Sequence, residues 1–92
     1  MNERKERVAE AIREKIAEFI LKEMNSDSLL SVTRVNLTGD LREAKVYISS
    51  LRNEKECLEA LKKAKPSIRL YLAKEINLRY TPDLTFFIEE DE

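Results

Sequence analysis

The spacing of apolar residues at the start of the chain predicts one long amphipathic helix over residues 3–24. Its apolar positions recur at steps of four, four, three and one, and therefore share a helical face. These positions are Val8, Ile12, Ile16, Phe19 and Ile20. Charged side chains fill the other face, where Glu18 and Lys22 have the favourable spacing of four residues. Asn2 is expected to cap the helix, and the polar cluster at residues 25–28 is expected to end it.

The next two segments alternate apolar and polar residues, which is the pattern of strands with one buried face. They are residues 29–37 and 44–49, and the short connection between them predicts an antiparallel hairpin. The side chains expected on the buried face are Thr33, Val35, Leu37, Ala44, Val46 and Ile48. The turn contains Gly39, the only glycine of the chain, which we expect to adopt a positive φ.

The second half of the chain predicts two further helices. Asn53 and Glu56 fit a capping box at the start of a helix. Proline is disfavoured inside a helix, so a kink or break is expected around Ala64 and Pro66, with a third helix beyond it. The apolar positions of this third helix are Ile68, Leu72 and Ile76.

A final strand is predicted after the pair Thr81 and Pro82, because the residue before a proline favours extended backbone. The side chains expected to face the core are Leu84, Phe86 and Ile88. Three short strands need helices packed on one face to be stable, so the sequence predicts an α+β fold with a helix-covered, three-stranded sheet. The length of 92 residues suits a single domain, residues 1–92.

The composition indicates a folded chain with a strongly ionic surface. Hydrophobic residues make up 42% and charged residues 38%, which is too apolar for a disordered segment. The net charge of -1 conceals a basic segment, since residues 62–82 carry six basic side chains and one acidic side chain. No apolar run is long enough to cross a membrane. Because Cys57 is the only cysteine and residues 1–7 lead into no signal-peptide pattern, we expect a cytoplasmic protein.

Catalysis is not expected from these residues. The chain has no histidine, a single cysteine and no pairing of a nucleophile with a base. Its carboxylates interleave with lysine and arginine as on a solvated surface, and Gly39 stands alone, without a glycine-rich loop that could bind phosphate. We therefore expect no catalytic residues, no metal and no cofactor.

The basic segment is the feature of the sequence that best supports a function. Its cations flank the expected start of the third helix, whose free N–H groups would favour anions, so the segment predicts a phosphate-binding surface. A solubilising charged patch explains the same composition equally well. The residues of this candidate phosphate clamp are Lys62, Lys63, Lys65, Ser67 and Arg69.

The aromatic residues divide into core positions and undecided ones. Phe19 and Phe86 lie on apolar faces and are expected in the core. Tyr47 and Phe87 form the only pair that could stack nucleic-acid bases on adjacent strands. Tyr80 cannot be placed from the sequence.

Several segments resemble the ribosome-binding factor A family, and together they extend over nearly the whole chain. They are Arg7 to Ala9 with Ile12, Asp40 to Arg42 with Ala44 to Tyr47, Ala64 and Lys65 with Ile68, Arg69 and Leu72, and Leu78 to Leu84 with Phe86. Their order and spacing make them more specific together than any one is alone. The chain differs from the family in carrying Pro66 where members commonly have glycine.

The resemblance implies a KH-like fold of the second type, with the order α-β-β-α-kink-α-β. In this family a kink at an alanine, here Ala64, replaces the usual Gly-x-x-Gly loop. Members bind the small (30S) ribosomal subunit and its 16S ribosomal RNA, assist late assembly and RNA maturation, and matter most for growth at low temperature. For this chain the resemblance implies a non-enzymatic factor with those partners. We also expect a monomer with no membrane association.

On this basis the candidate phosphate clamp is expected to bind ribosomal RNA phosphates. Lys74 and Arg79 are expected as flanking contacts, with Arg42 and Lys45 as weaker candidates. Two other functions also fit the residues. One is a protein-interaction module that uses a strand edge or the ionic helix over residues 3–23, and the other is a KH domain for a different RNA.

Overall fold

The helices and strands follow the predicted order in a computed structural model, except that one helix replaces the predicted second and third helices; the structure describes residues 3–24 and 30–89. The helices are α1, Glu3–Phe19, which continues into a π-helical turn at Ile20–Met24, and α2, Glu54–Glu75. The strands are β1, Ser31–Leu37, β2, Glu43–Ser49, and β3, Asp83–Ile88. Neither α1 nor α2 has the combined length and apolar character of a membrane-spanning helix. The predicted cap at Asn2 and the polar stop at residues 25–28 lie outside the described residues.

The three strands form one sheet in the order β1-β2-β3. β1 and β2 pair antiparallel, as the predicted hairpin requires, whereas β2 and β3 are parallel. A parallel neighbour needs a crossover connection, and α2 supplies it. The structure therefore confirms the predicted α+β class and its three-stranded sheet.

Both helices pack on one face of the sheet and enclose a continuous apolar core. The helical side chains that are 0% exposed are Ile12, Ile16, Leu61, Ile68 and Leu72. The buried sheet side chains are Val32, Val35, Leu37, Ala44, Val46, Ile48, Leu84 and Phe86. Phe19 is buried as predicted and meets Tyr71 edge-on, with 5.7 Å between the ring centroids. Burial of each large apolar side chain stabilises the fold by roughly 1.5–3 kcal/mol.

β1 contains a β-bulge that the alternation of its residues did not predict. Its pairing with β2 shifts between Val32 and Arg34, so Thr33 has no partner in the register. Thr33 is exposed, and Val32 is buried in its place. The predicted position of Thr33 on the core face is therefore wrong, whereas Val35 and Leu37 are buried as predicted.

The hairpin turn has its left-handed residue at Leu41 instead of Gly39. Leu41 has a φ of 61°, and no glycine of the described chain has a positive φ, so the prediction for Gly39 is wrong. The Leu41 N–H donates to the Thr38 carbonyl at 3.0 Å. The Asp40 carboxylate accepts hydrogen bonds from the Thr38 hydroxyl and the Arg42 N–H. Because the Leu41 side chain also packs against the core, these contacts offset the strain of its backbone conformation.

α2 runs without a break through Pro66, so the predicted break and the separate third helix are wrong. Leu61, Ile68 and Leu72 lie on both sides of the proline and are fully buried, so packing holds both halves of the helix against the sheet. Because Pro66 has no N–H, the carbonyl of Lys62 lacks its helical donor. Both residues are exposed, so water can solvate that carbonyl.

We expect Pro66→Ala to raise the free energy of unfolding by about 1–3 kcal/mol, because alanine restores a helical hydrogen bond and removes the ring clash. Urea unfolding followed by circular dichroism should show a higher midpoint with an unchanged slope. The neighbouring exposed substitution Ser67→Ala should change the free energy of unfolding by less than about 0.5 kcal/mol. A lower midpoint for Pro66→Ala would contradict a continuous helix at this position.

The start of α2 lies where the sequence predicts it, but a capping box does not form there. Asn53 occupies the cap position in the left-handed conformation, with φ 54° and ψ 44°, and its side chain makes no capping hydrogen bond. The Asn53 carbonyl accepts a hydrogen bond from the Cys57 N–H at 2.9 Å, the first of the helix. Asparagine therefore suits this position because it tolerates a positive φ.

Replacement of Asn53 can distinguish a requirement for a positive φ from a requirement for a capping side chain. We expect Asn53→Gly to keep or raise the free energy of unfolding, and Asn53→Ser to lower it by about 1 kcal/mol, because serine tolerates the left-handed region poorly. Thermal and urea unfolding would measure both variants. Equal stability of the serine variant and the parent chain would instead indicate a side-chain cap.

Candidate nucleic-acid interface

One side of α2 carries a row of cations beside the segment that leads into β3. Lys62, Lys65 and Arg69 are spaced by three and four residues and so share a helical face. The Arg69 guanidinium donates hydrogen bonds to two backbone carbonyls just before β3, at 3.0 and 3.2 Å. Lys65 forms an ion pair with Asp83, with 3.6 Å between Nζ and Oδ1. Arg69 therefore holds this side of α2 against the start of β3, and Lys65 lies beside it.

Two arginines from other parts of the chain join this row. The Asp83 N–H donates to the Arg42 carbonyl at 2.8 Å, so the end of the hairpin turn lies beside the start of β3. The guanidinium groups of Arg42 and Arg79 each lie 5.8 Å from the centre of the Tyr80 ring. These cations, together with Lys62 on the same face of α2, are termed the basic edge, and they are Arg42, Lys62, Lys65, Arg69 and Arg79.

The other predicted contact residues lie on different surfaces. Ser67 and Lys74 line a groove between α1 and α2, together with Phe19 and Met24. Lys63 is exposed on α2 but lines a different depression, with Lys55, Glu56, Glu59 and Ala60. Lys45 is exposed on the face of the sheet opposite the helices. The nine predicted residues therefore do not form a single site.

The backbone around residue 67 does not offer a helix start to an anion. Because α2 continues through Pro66, the N–H groups of residues 67–69 lie inside the helix, where carbonyls four residues earlier accept them. Ala64, the expected kink, also lies within α2 and packs partly buried against the core. The predicted contribution of free helical N–H groups is therefore wrong, and anion binding here depends on side chains.

Tyr80 is the residue of this region that the sequence left unplaced. It is 59% exposed, and the guanidinium groups of two arginines of the basic edge lie 5.8 Å from its ring centre. Its adjacency to Arg79 was visible in the sequence. Its contact with Arg42 was not, because that contact depends on the parallel pairing of β2 with β3.

The predicted aromatic pair lies on the open face of the sheet. Tyr47 and Phe87 stack with 5.4 Å between ring centroids and 26° between their planes. Arg34 pairs with Tyr47 from β1, the strand on the other side of β2 from Phe87. The Arg34 guanidinium lies 4.1 Å from the Tyr47 ring centre. Arg34 also donates to Glu89 at 2.9 Å. The Tyr47 ring is thus already covered by one aromatic and one cationic neighbour.

Arg69 has a structural role that its charge alone did not suggest. We expect Arg69→Met to lower the free energy of unfolding by about 1–2 kcal/mol, because the two hydrogen bonds that hold the segment before β3 are lost. The matched control is Lys62→Met, which removes only an exposed ion pair with Glu59 and should cost less than about 0.5 kcal/mol. Equal urea midpoints for the two variants would contradict this role.

Comparison with known proteins relates this chain to one family. Residues 4–92 match the sequence profile described as ribosome-binding factor A. The ribosome-binding factor A of Caldicellulosiruptor bescii is 38% identical over 96 aligned positions, covering 96% of this chain and 73% of that protein. The ribosome-binding factor A of Acetivibrio thermocellus is 42% identical over 93 positions, covering 95% of this chain and 76% of that protein.

The fold also matches a solved structure of a protein with that name. The crystal structure of ribosome-binding factor A from Thermus thermophilus superposes with a TM-score of 0.83 at 28% identity, over 91% of this chain and 94% of that one. A homology model of the Thermus thermophilus factor, fitted into a cryo-EM map of a 30S–RbfA complex, superposes with a TM-score of 0.76 at 28% identity. The match covers 86% of this chain and 88% of that one. These similarities confirm that the chain has the α+β fold of ribosome-binding factor A structures, as the sequence resemblance implied.

Proposed function

The chain belongs to the ribosome-binding factor A family, and from this premise we propose that it binds the free small ribosomal subunit. In this proposal the basic edge contacts phosphates of 16S ribosomal RNA, and the protein assists late subunit assembly and RNA maturation without catalysing a reaction. The observation that carries the placement of the contact is the convergence of four cations from three separate chain segments beside the start of β3, with Lys62 on the same face of α2.

The charges of the basic edge are available to phosphate. Lys62 and Lys65 pair with Glu59 and Asp83 at 3.4 and 3.6 Å, and all four side chains are at least 38% exposed. Exposed pairs of this kind contribute little to stability, so an RNA phosphate can replace either carboxylate at low cost. Within residues 3–24 and 30–89 neither Arg42 nor Arg79 forms a salt bridge, although the charge of Arg42 interacts with the Asp40 carboxylate.

Binding through these side chains would follow the shape and charge of the RNA backbone. Lysine and arginine contacts to phosphate orient a protein on RNA without distinguishing bases, and they weaken as salt rises. Lys45, Lys63, Ser67 and Lys74 lie away from the basic edge, and we propose them only as peripheral contacts. We further propose that the chain acts in the cytoplasm as one monomeric RNA-binding domain, and that its loss is felt most at low temperature.

Charge reversal within the basic edge tests this function. We expect Arg42→Glu/Lys65→Glu to weaken binding to purified small subunits and to lower the slope of log affinity against log salt by about two units, one for each contact. The measurement is co-sedimentation with small subunits over a series of salt concentrations. The matched control is Lys22→Glu/Lys55→Glu, which makes the same change in net charge at exposed residues outside the basic edge.

The results of this experiment test the proposed function and the location of its binding site separately. Failure of the parent chain to sediment with small subunits at low salt would contradict the proposed function. Binding by the parent chain with equal losses in the two double variants would contradict the basic edge as the contact. Circular dichroism of each variant establishes that it is folded.

A second candidate function is a protein-interaction module. The observation that favours it is the open face of the sheet, where Phe87 remains 38% exposed beside Tyr47. Capture of a partner from nuclease-treated lysate, lost in Phe87→Ser, would support this function. Complete loss of capture on nuclease treatment would support the RNA contact instead.

A further inference from the structure

Tyr80 is a large aromatic residue held at the surface of the protein. Its exposed fraction is 59%, whereas the two core phenylalanines, Phe19 and Phe86, are 7% and 4% exposed. The neighbouring guanidinium groups of Arg42 and Arg79 lie 5.8 Å from the ring centre, near the outer limit of a cation–π contact. Because the guanidinium groups lie this far from the ring, a flat ligand can reach it.

The Tyr80 ring forms part of a cavity of about 240 Å³. The cavity lies where the start of α1, the hairpin turn and the segment before β3 come together. Its apolar lining includes Leu41, Leu78 and Pro82, and its charged lining comprises Arg4, Arg79 and Asp40. An aromatic and apolar wall combined with arginines fits a ligand that carries both a flat ring and an anionic group.

The acidic residue of the cavity does not cancel its positive charge. Asp40 Oδ1 accepts hydrogen bonds from the Thr38 hydroxyl at 2.7 Å and from the Arg42 N–H at 3.1 Å. The Thr38 hydrogen bond, followed by the Arg42 N–H, lowers the pKa of the Asp40 carboxyl below its usual range. Asp40 is thus engaged in the hairpin turn, and the cavity lining pairs this one carboxylate with two arginines, Arg4 and Arg79.

Tyr80 differs in accessibility from the aromatic pair on the sheet. Tyr47 has Phe87 at 5.4 Å and the Arg34 guanidinium at 4.1 Å from its ring centre, so a base would have to displace an existing neighbour. Arg34 is also held by Glu89, which places a carboxylate beside that stack. The surface around Tyr80 is therefore the better receptor for a negatively charged strand.

We propose that Tyr80 and its cavity take up one unpaired nucleotide of RNA, with the base stacked on the Tyr80 ring and its phosphate held by Arg79 and Arg4. Bases inside an A-form duplex are stacked on both faces, so only an unpaired or extruded base can reach this ring. The inference rests on the proposed function, because it specifies the form of RNA beside the basic edge.

A strand of RNA suits this region better than a free mononucleotide. Both have a flat base and a phosphate, and both would fit the cavity wall. Only a strand carries further phosphates that can reach Lys62 and Lys65 on the adjoining row of α2. We therefore expect a strand to bind more tightly than its isolated nucleotide.

The test compares Tyr80→Leu, which removes the ring, with Tyr80→Phe, which keeps it. Fluorescence anisotropy of the full chain would use a labelled single-stranded RNA of eight nucleotides, a labelled RNA duplex of eight base pairs, and unlabelled nucleoside monophosphates as competitors. Tyr80→Leu should weaken single-strand binding by roughly 5- to 100-fold, the effect of losing one base–aromatic stack. Tyr80→Phe should remain within about twofold, and duplex binding should be unchanged in both variants.

Phe87→Leu is the matched control, because it removes an exposed aromatic ring at a site outside the cavity. Unchanged single-strand binding by Tyr80→Leu, or an equal loss for single strand and duplex, would overturn the inference. Competition by a monophosphate as effective as the strand would assign the cavity to free nucleotides and overturn it as well. Co-sedimentation of the parent chain and of Tyr80→Leu with small subunits distinguishes the two proposals. If the parent chain does not sediment with small subunits, the proposed function is contradicted, whereas the Tyr80 contact is judged from the binding of the RNA probes.

Discussion

The parallel pairing of β3 with β2 is the constraint on which the candidate interface depends. Parallel strands begin at the same edge of a sheet, so the residues that precede them come together even when they are far apart in sequence. The bond from the Asp83 N–H to the Arg42 carbonyl fixes this juxtaposition at 2.8 Å. Arg42 thereby meets Arg79 and Tyr80, although more than 35 residues separate them in the chain. The basic edge and the Tyr80 cavity are both consequences of this register.

The crossover helix completes that arrangement because its packing outweighs the cost of its proline. A proline inside a helix costs about 3 kcal/mol, whereas burial of each large aliphatic side chain stabilises by roughly 1.5–3 kcal/mol. Leu61, Ile68 and Leu72 are all fully buried around Pro66, so α2 remains continuous. Lys62, Lys65 and Arg69 consequently keep one helical spacing and face β3 as a row. A break at Pro66 would have turned Arg69 away from Lys62 and Lys65.

The sequence predicted the parts of the fold that follow from periodicity. The stripe of α1, the hairpin with Val46 and Ile48 inside, and the inward face of β3 follow from regular spacing along the chain. The structure confirms them, with Leu84 and Phe86 buried on β3 and Ile88 partly buried at its end. The bulge at Thr33 and the left-handed Leu41 depend on how the hairpin closes and packs, which alternation does not record. The candidate site follows the same rule. The sequence identifies the basic residues, but it does not show that the fold distributes them over several surfaces.

The side chains of the basic edge have different physical roles although they carry the same charge. Arg69 uses its guanidinium to hold the two carbonyls before β3, so it positions the segment that carries Arg79 and Tyr80. Lys62 and Lys65 have only exposed carboxylate partners, and an exchange of carboxylate for phosphate leaves no buried charge unpaired. In the proposed function the lysines would therefore supply the salt-dependent attraction to RNA, while the Tyr80 ring would supply a contact that distinguishes an unpaired base from a duplex. A surface with lysines alone would bind both forms of RNA by charge and would lack that distinction.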